Sequence, residues 1–303
     1  MIRLLWSAGL DSTFRLCQLS FQNVEVQPIY IIDKERPAYE YEMKAHSDIL
    51  DYLRKRNIRA SIHDVLYVPL SSVTINPSIR DAFMRLYTEH PIGAQYIWLG
   101  SYTEKVGYCE LGEEGFVKAP GVLGKMFQSK GVFKNDEYGN LIIDREKSHP
   151  DVSLVFGHYY FPIYRINTYQ MLDYLKEWNM NEILSLIRFC ASDKPYNCGI
   201  CKSCRSRIKI GKADVFNFSP DAVLYYEIYL ALQRIDKSEK FLQAFRSYML
   251  DNKKAGLIYY SRSDKDVLYF FQKLEKLLKM SRKNVRKILP KLKSMDDFYK
   301  YVN

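Results

Sequence analysis

Ile2-Arg3-Leu4-Leu5-Trp6-Ser7-Ala8-Gly9-Leu10-Asp11-Ser12-Thr13-Phe14-Arg15-Leu16-Cys17-Gln18-Leu19 is the stretch that decides the fold. Its first five residues are apolar but for Arg3, with β-compatible ends, four of the next six are serine, alanine or glycine, and the apolar positions of 13–19 recur at helical spacing. Strand, loop and helix therefore follow in order. Further strands are expected at 26–32, near 60–65 and at 94–100, the last because Ala94-Gln-Tyr96-Ile97-Trp98-Leu99-Gly100 is apolar almost throughout, as in a strand covered on both faces. Between them, 41–55 carries Met43, Ile49, Leu50 and Leu53 on one helical face, and 77–88 is also helical in pattern. This alternation is that of a doubly wound α/β domain with a parallel sheet and helices on both faces.

The periodicity fails between Gly112 and Tyr160, where glycines punctuate the chain. A hairpin is expected there, 132–134 against 141–143, with turn residues in Asn135-Asp-Glu-Tyr-Gly139-Asn140. So long a connection is read as a lid. From Ser219-Pro220 onward only helices are expected, at 221–235, 238–250, 263–279 and 281–293, with caps at Ser219, Ser238, Ser263 and Ser281. Leu224, Tyr225, Ile228, Tyr229 and Leu232 form a packing stripe. The domain expectation is 1–189 as a catalytic domain, 190–218 as a cysteine segment and 219–303 as a basic helical extension.

The chain has 303 residues, 47% of them hydrophobic, enough for a large core and about two domains. No apolar stretch reaches the length of a membrane span and no signal peptide is read at Met1, so a cytoplasmic protein is expected. The net charge of +10 is concentrated: residues 205–303 carry 22 Lys/Arg against 11 Asp/Glu, a balance of +11, which leaves −1 for the first 204. Such a field attracts nucleic acid or an acidic protein, or is a solvated helix face. No histidine forms the i, i+4 pair of a helical zinc protease, and Cys109, a candidate nucleophile, is read as a buried packer.

Four of the six cysteines fall in one run, Cys190-Ala-Ser-Asp-Lys-Pro-Tyr-Asn-Cys198-Gly-Ile-Cys201-Lys-Ser-Cys204. That spacing lets four thiolates wrap one tetrahedral Zn²⁺. At the other end of the chain, the loop after the first strand presents backbone N–H groups and hydroxyls to an anion at the positive end of a helix dipole. ATP fits such a site. Asp11 makes sense there if it coordinates Mg²⁺ or braces the loop, because unpaired it would repel a phosphate.

Ser7-Ala8-Gly9-Leu10-Asp11-Ser12 resembles the Ser-Gly-Gly-X-Asp-Ser pyrophosphate loop of the adenine-nucleotide α-hydrolase superfamily, the N-type ATP pyrophosphatases. Together with Cys-Gly-X-Cys-X-X-Cys and the following Arg207, the order of motifs resembles the 7-cyano-7-deazaguanine synthase (QueC) family of queuosine biosynthesis over about residues 1 to 210. The resemblance implies a Rossmann-like (HUP) fold, a homodimer, and an ATP-dependent ligase that adenylates 7-carboxy-7-deazaguanine and converts it to the amide and then the nitrile. It implies that Ser7, Ala8, Gly9, Leu10, Asp11, Ser12 and Thr13 hold the nucleotide and Mg²⁺. By the same resemblance Asp11, Ser12 and Arg165 serve catalysis, the four cysteines hold a structural zinc, and Tyr108 and Glu110 meet the base.

The departures are specific. Ala8 replaces a glycine, a change that matters if the position needs a positive φ. Asp33-Lys-Glu-Arg36-Pro-Ala-Tyr39-Glu40 stands where the family has Gly-Gln-Arg-His, the family's Pro-Gly-Arg-Asn is missing, Arg165 stands in for a lysine, and the helical extension has no counterpart. This pattern fits a divergent relative of the kind found in antiphage gene clusters, which would transfer the activated acyl group to a protein amine. Two other readings stay open: a tRNA-modifying ATP pyrophosphatase, and a non-catalytic zinc module using its basic helices for nucleic acid or a partner protein.

Overall fold

The computed structural model describes residues 1–115, 121–192, 196–209, 215–216, 218–235, 239–250 and 265–302. The chain divides into two compact units, Met1–Arg188 and Phe189–Asn303.

The first unit is α/β, with a central parallel sheet flanked by helices. Its strands are β1 (Ile2–Leu5), β2 (Glu25–Ile32), β3 (Ser61–Ile62), β4 (Leu66–Pro69), β5 (Cys109–Leu111) and β8 (Tyr159–Tyr160), in the order β3-β2-β1-β5-β8 with β4 also on β2. Every pair in this sheet is parallel. Leu4, Leu5, Val26, Ile29 and Cys109 are buried, giving the apolar strands expected of a sheet with both faces covered. Of the strand expected near 60–65 only β3, Ser61–Ile62, is formed, and a further strand, β4, follows it at Leu66–Pro69.

The helices are α1 (Leu10–Ser20), α2 (Tyr39–Arg54), α3 (Pro77–Glu89), α4 (Gln95–Val106), α5 (Val122–Lys130), α6 (Pro150–Phe156) and α7 (Thr168–Glu177). Asn76 caps α3 by accepting from the Ser78 N–H, with Pro77 at the first position. Asn167 and Gln170 form a reciprocal capping box on α7.

The structure departs from two expectations. Residues 94–100 are not a strand: they open α4, which runs to Val106 and ends at Gly107 with φ 90. Its buried face is Tyr96, Gly100, Ser101 and Thr103, at helical rather than alternating spacing. Gly100 permits the close crossing of α4 over α6, because a Cβ there would lie 2.9 Å from the Val155 carbonyl oxygen. Nor is 112–160 a lid. Its described part contains α5, the β6–β7 hairpin (Phe133–Asn135 with Leu141–Ile143), α6 and β8. Met126, Phe127, Ile143, Val152, Phe156 and Tyr159 share a core with Leu5 and Ile29.

The second unit holds the cysteine run, α8 (Lys202–Lys209), α9 (Pro220–Ile235), α10 (Glu239–Leu250), α11 (Lys265–Lys279), α12 (Arg282–Ile288), a 3-10 turn (Leu289–Lys291) and α13 (Met295–Val302). Ser219 and Ser281 cap α9 and α12; the caps expected at Ser238 and Ser263 lie outside the described residues. Leu224, Ile228, Tyr229 and Leu232 are buried in one core with Phe245, Phe270, Leu274 and Phe298, and the four cysteines belong to that same core. The stripe is packing. Among the described residues no helix is long and apolar enough to cross a membrane.

Candidate functional site

β1 pairs with β2 on one side and β5 on the other. The loop leaving its C-terminal end therefore sits where the strand order reverses, the crevice in which open parallel sheets bind ligands. Gly9 is the N-cap of α1 in extended conformation, φ −75 and ψ 171, and no side chain caps the helix. The first-turn N–H groups are thus left for an anion. Ser7 is exposed, and its hydroxyl and backbone N–H lie 3.5 and 3.4 Å from the Ser12 hydroxyl oxygen.

The loop is braced from below. The Trp6 indole N–H donates to the Thr13 hydroxyl at 2.9 Å, the Thr13 N–H to the Gly9 carbonyl at 3.0 Å, and the Arg188 N–H to the Ala8 carbonyl at 2.8 Å. His46, fully buried against the Trp6 ring, places Nε2 3.0 Å from the Trp6 carbonyl oxygen, and burial lowers its pKa to about 4. Thr13 and Leu10 are thus packed supports of the loop, while Ser7 and Ser12 carry the hydroxyls that face each other across it. Gly112, just beyond β5, packs on the loop so closely that a Cβ would lie 2.6 Å from the Ser12 Cα.

Ala8 is fully buried and adopts φ 56. The position does require the left-handed conformation, which costs an L-residue about 1–2 kcal/mol and a glycine almost nothing. The chain tolerates that strain at its most chemically suggestive turn.

Asp11 has acidic company in Glu113, which feels the charges of both Asp11 and Glu114. Glu113, half-buried, is pushed up to about 8, first by burial and then by the charges of Asp11 and Glu114, while the Tyr96 hydroxyl donates to it at 3.3 Å. A carboxyl in that range holds or releases a proton near neutral pH. Glu114 accepts from the Thr168 hydroxyl at 2.7 Å.

Glu110 does not present a free carboxylate. It lies within β5, and both its oxygens are taken by Arg15 of α1, at 2.8 and 2.6 Å. Arg15 spends a further N–H on Gln18 at 2.5 Å. The base-reading role that the resemblance gave Glu110 therefore conflicts with this buried, bidentate pair. Tyr108 stacks on Tyr160, with ring centroids 4.8 Å apart. Tyr160, Arg15, Arg165, Asn135 and Asn140 line a cavity of about 340 Å³ at the end of β8. Arg165 is exposed, so it supplies a cation at the cavity's rim. Arg15 was missed, although its place four residues after Asp11 puts both on one face of α1.

After β2, the segment that departs from the resemblance has its own purpose. Arg36 reaches back 2.6 Å to Glu42, which is 1% exposed and also accepts from the Tyr30 hydroxyl. Cys109 is fully buried, and burial pushes its thiol up to about 12. It is a packing residue.

In the second unit the four cysteines converge. All four Sγ atoms lie within 4.8 Å of one another and all four residues are buried. Cys198 and Cys204 Sγ are 3.8 Å apart, which matches the edge of about 3.8 Å that Zn–S bonds of about 2.3 Å give a tetrahedron. The N–H groups of Cys198, Cys201 and Cys204 point at the sulfurs of Cys190, Cys198 and Cys201 at 3.4–3.5 Å, as donors to thiolates do. Gly199, at φ 82, makes the turn, and a Cβ there would lie 2.0 Å from the Ala222 carbonyl oxygen. Crowded together, the buried sulfurs drive one another's ionisation apart, Cys190 downward and Cys198 and Cys204 upward. Four thiols this close do not ionise together unaided, and the group can hold a metal ion such as zinc. Compared with known proteins, the chain matches no family model, no curated protein and no solved structure.

Proposed function

We propose that the first unit is a Rossmann-like (HUP) domain of QueC type, an ATP-dependent ligase that adenylates the carboxylate of 7-carboxy-7-deazaguanine. The observation that carries this reading is the uncapped N-terminus of α1 at the point where the strand order reverses, with Ser7 and Ser12 hydroxyls across the loop from each other. There the Ser7 and Ser12 hydroxyls and the first-turn N–H groups would hold the pyrophosphate of ATP, and Asp11 a Mg²⁺ ion that neutralises it. The donor chemistry fits: hydroxyls and amides for phosphate, a carboxylate for a hard cation. The substrate carboxylate attacks the α-phosphorus and pyrophosphate leaves; an amine then attacks the acyl carbon and AMP leaves. Arg165 at the cavity mouth would hold the carboxylate before attack.

When the amine is ammonia, a second ATP adenylates the oxygen of the resulting amide with loss of pyrophosphate, and the nitrile forms as the C–O bond breaks, AMP carries that oxygen away and the amide nitrogen loses its protons. A second reading, transfer to a protein amine as in an antiphage system, is favoured by the separate helical unit, which small-molecule turnover does not need. The cysteine group fits a closed structural zinc, which leaves no open position for chemistry. Asp11→Ala and Ser12→Ala should each abolish substrate-dependent AMP release while zinc content and melting temperature are kept. Undiminished AMP from both variants would remove the loop from the reaction.

A further inference from the structure

The second unit carries a groove of about 450 Å³ between α9 and the α12 end of the chain. One face of α9 supplies Glu227, Leu230, Gln233 and Arg234, and the opposite wall is Arg286, Leu289 and Pro290. Leu230 is 39% exposed at its centre. A leucine held open to water between two helices costs hydrophobic free energy that a partner's apolar side chain would recover.

The sequence along the α12 wall is basic, while Glu227 is the one carboxylate lining the groove among the described residues. Between residues 276 and 293 there are eight Lys/Arg and no Asp/Glu. Two of the arginines are already neutralised: Arg282 meets Asp221 at 2.7 Å and Arg286 meets Glu227 at 2.8 Å. Lys283 and Lys287, both exposed and one helical turn apart, have no carboxylate partner among the described residues. The surface is thus an apolar slot with lysines beside it and carboxylates at its wall. A phosphodiester backbone would meet Asp221 and Glu227, and among the described residues no aromatic ring lines the groove for a base to stack on.

We propose that this groove docks an acidic segment of a partner protein, seating an apolar side chain on Leu230 and its carboxylates on Lys283 and Lys287. This is helix-in-groove recognition with charge setting the orientation. It does not rest on the nucleotide reading of the first unit.

The test uses the full chain and two fluorescent peptides of about a dozen residues, rich in Asp and Glu. One has leucines at i and i+4, and the other has serines in their place. The leucine peptide should bind at least tenfold more tightly, and Leu230→Asp should weaken it at least tenfold. Lys283→Glu with Lys287→Glu should weaken both peptides and flatten their salt dependence. Gln233→Glu, a surface change that spares the core, should weaken the leucine peptide a fewfold and guards against misfolding of the other variants. Equal binding of the two peptides, or none, overturns the proposal. So does tighter binding of an oligothymidylate of equal charge that survives Leu230→Asp, which would make the surface one for nucleic acid.

Discussion

Gly112→Ala probes how the loop is held. The added Cβ would stand 2.6 Å from the Ser12 Cα, 2.8 Å from the Ser12 nitrogen and 3.1 Å from the Asp11 carbonyl carbon. Relief to an ordinary contact of about 3.4 Å needs a movement of about 0.8 Å, and overpacking of this kind costs about 1–3 kcal/mol. The atoms struck are backbone, and the first turn of α1 is fastened by the Thr13 bonds to Trp6 and Gly9, so no side chain can swing aside. Removing a glycine returns about 0.4–1 kcal/mol through the unfolded chain. Because the atoms struck are backbone, the upper overpacking cost of about 3 kcal/mol applies, and the net loss is about 2–2.6 kcal/mol, or about 4–10 °C in melting temperature for a unit of this size.

All three tryptophans, Trp6, Trp98 and Trp178, lie in the first unit, so a tryptophan-fluorescence melt reads that unit alone. Gly93→Ala is the control, because the Cβ there meets only the exposed Gln95 side-chain tip. If Gly112→Ala melts within 1 °C of that control (about 0.3 kcal/mol), the close approach of β5's exit to the loop is wrong.

Three further outcomes are expected. Glu113 has a folded pKa near 8 against an ordinary 4.5, so its stabilising contribution is full below pH 4.5 and is lost as pH rises through 8. Glu113→Gln should flatten the fall in stability across that window and leave the ligand-free variant more stable than the parent above pH 8, by at least about 1.4 kcal/mol; an unchanged pH profile would contradict this. Arg15→Met leaves buried Glu110 unpaired and should cost about 3–5 kcal/mol in denaturant unfolding, with Arg15→Met/Glu110→Leu recovering most of it; a loss that the double variant does not repair would count against the pair. Metal analysis should find about one zinc per chain, and Cys198→Ser should lower helical circular dichroism with tryptophan fluorescence unchanged, because the cysteines share a core with α9–α13. Retained helicity in a zinc-free variant would show that the core stands without the metal.

What was legible in the sequence follows its periodicity. The β1–loop–α1 unit could be read because its apolar run, small loop and helical spacing each occupy a distinct stretch. The four cysteines could be read because metal ligation needs local spacing. Helix α4 could not, because its buried face is built of Gly100, Ser101 and Thr103, while the more apolar Ile97, Trp98 and Leu99 are only half-buried. Hydropathy therefore pointed to the wrong period. Helices α5 and α6 have nine and seven residues, too short to establish a period between glycines. The Arg15–Glu110 pair joins residues 95 apart and has no local signal. Ala8 shows the reverse: its identity marked the position, and only the backbone shows φ 56.

Adenylation at the α1 N-terminus, the proposed reaction, can be measured directly. The most direct measurement incubates the protein with ATP, Mg²⁺ and 7-carboxy-7-deazaguanine, with and without ammonium, and follows AMP and the base by mass spectrometry. AMP is expected only when the acid is present, with the amide or nitrile when ammonium is added, or an accumulating adenylate if the amine belongs to a protein. No acid-dependent AMP under any of these conditions would contradict the proposed reaction.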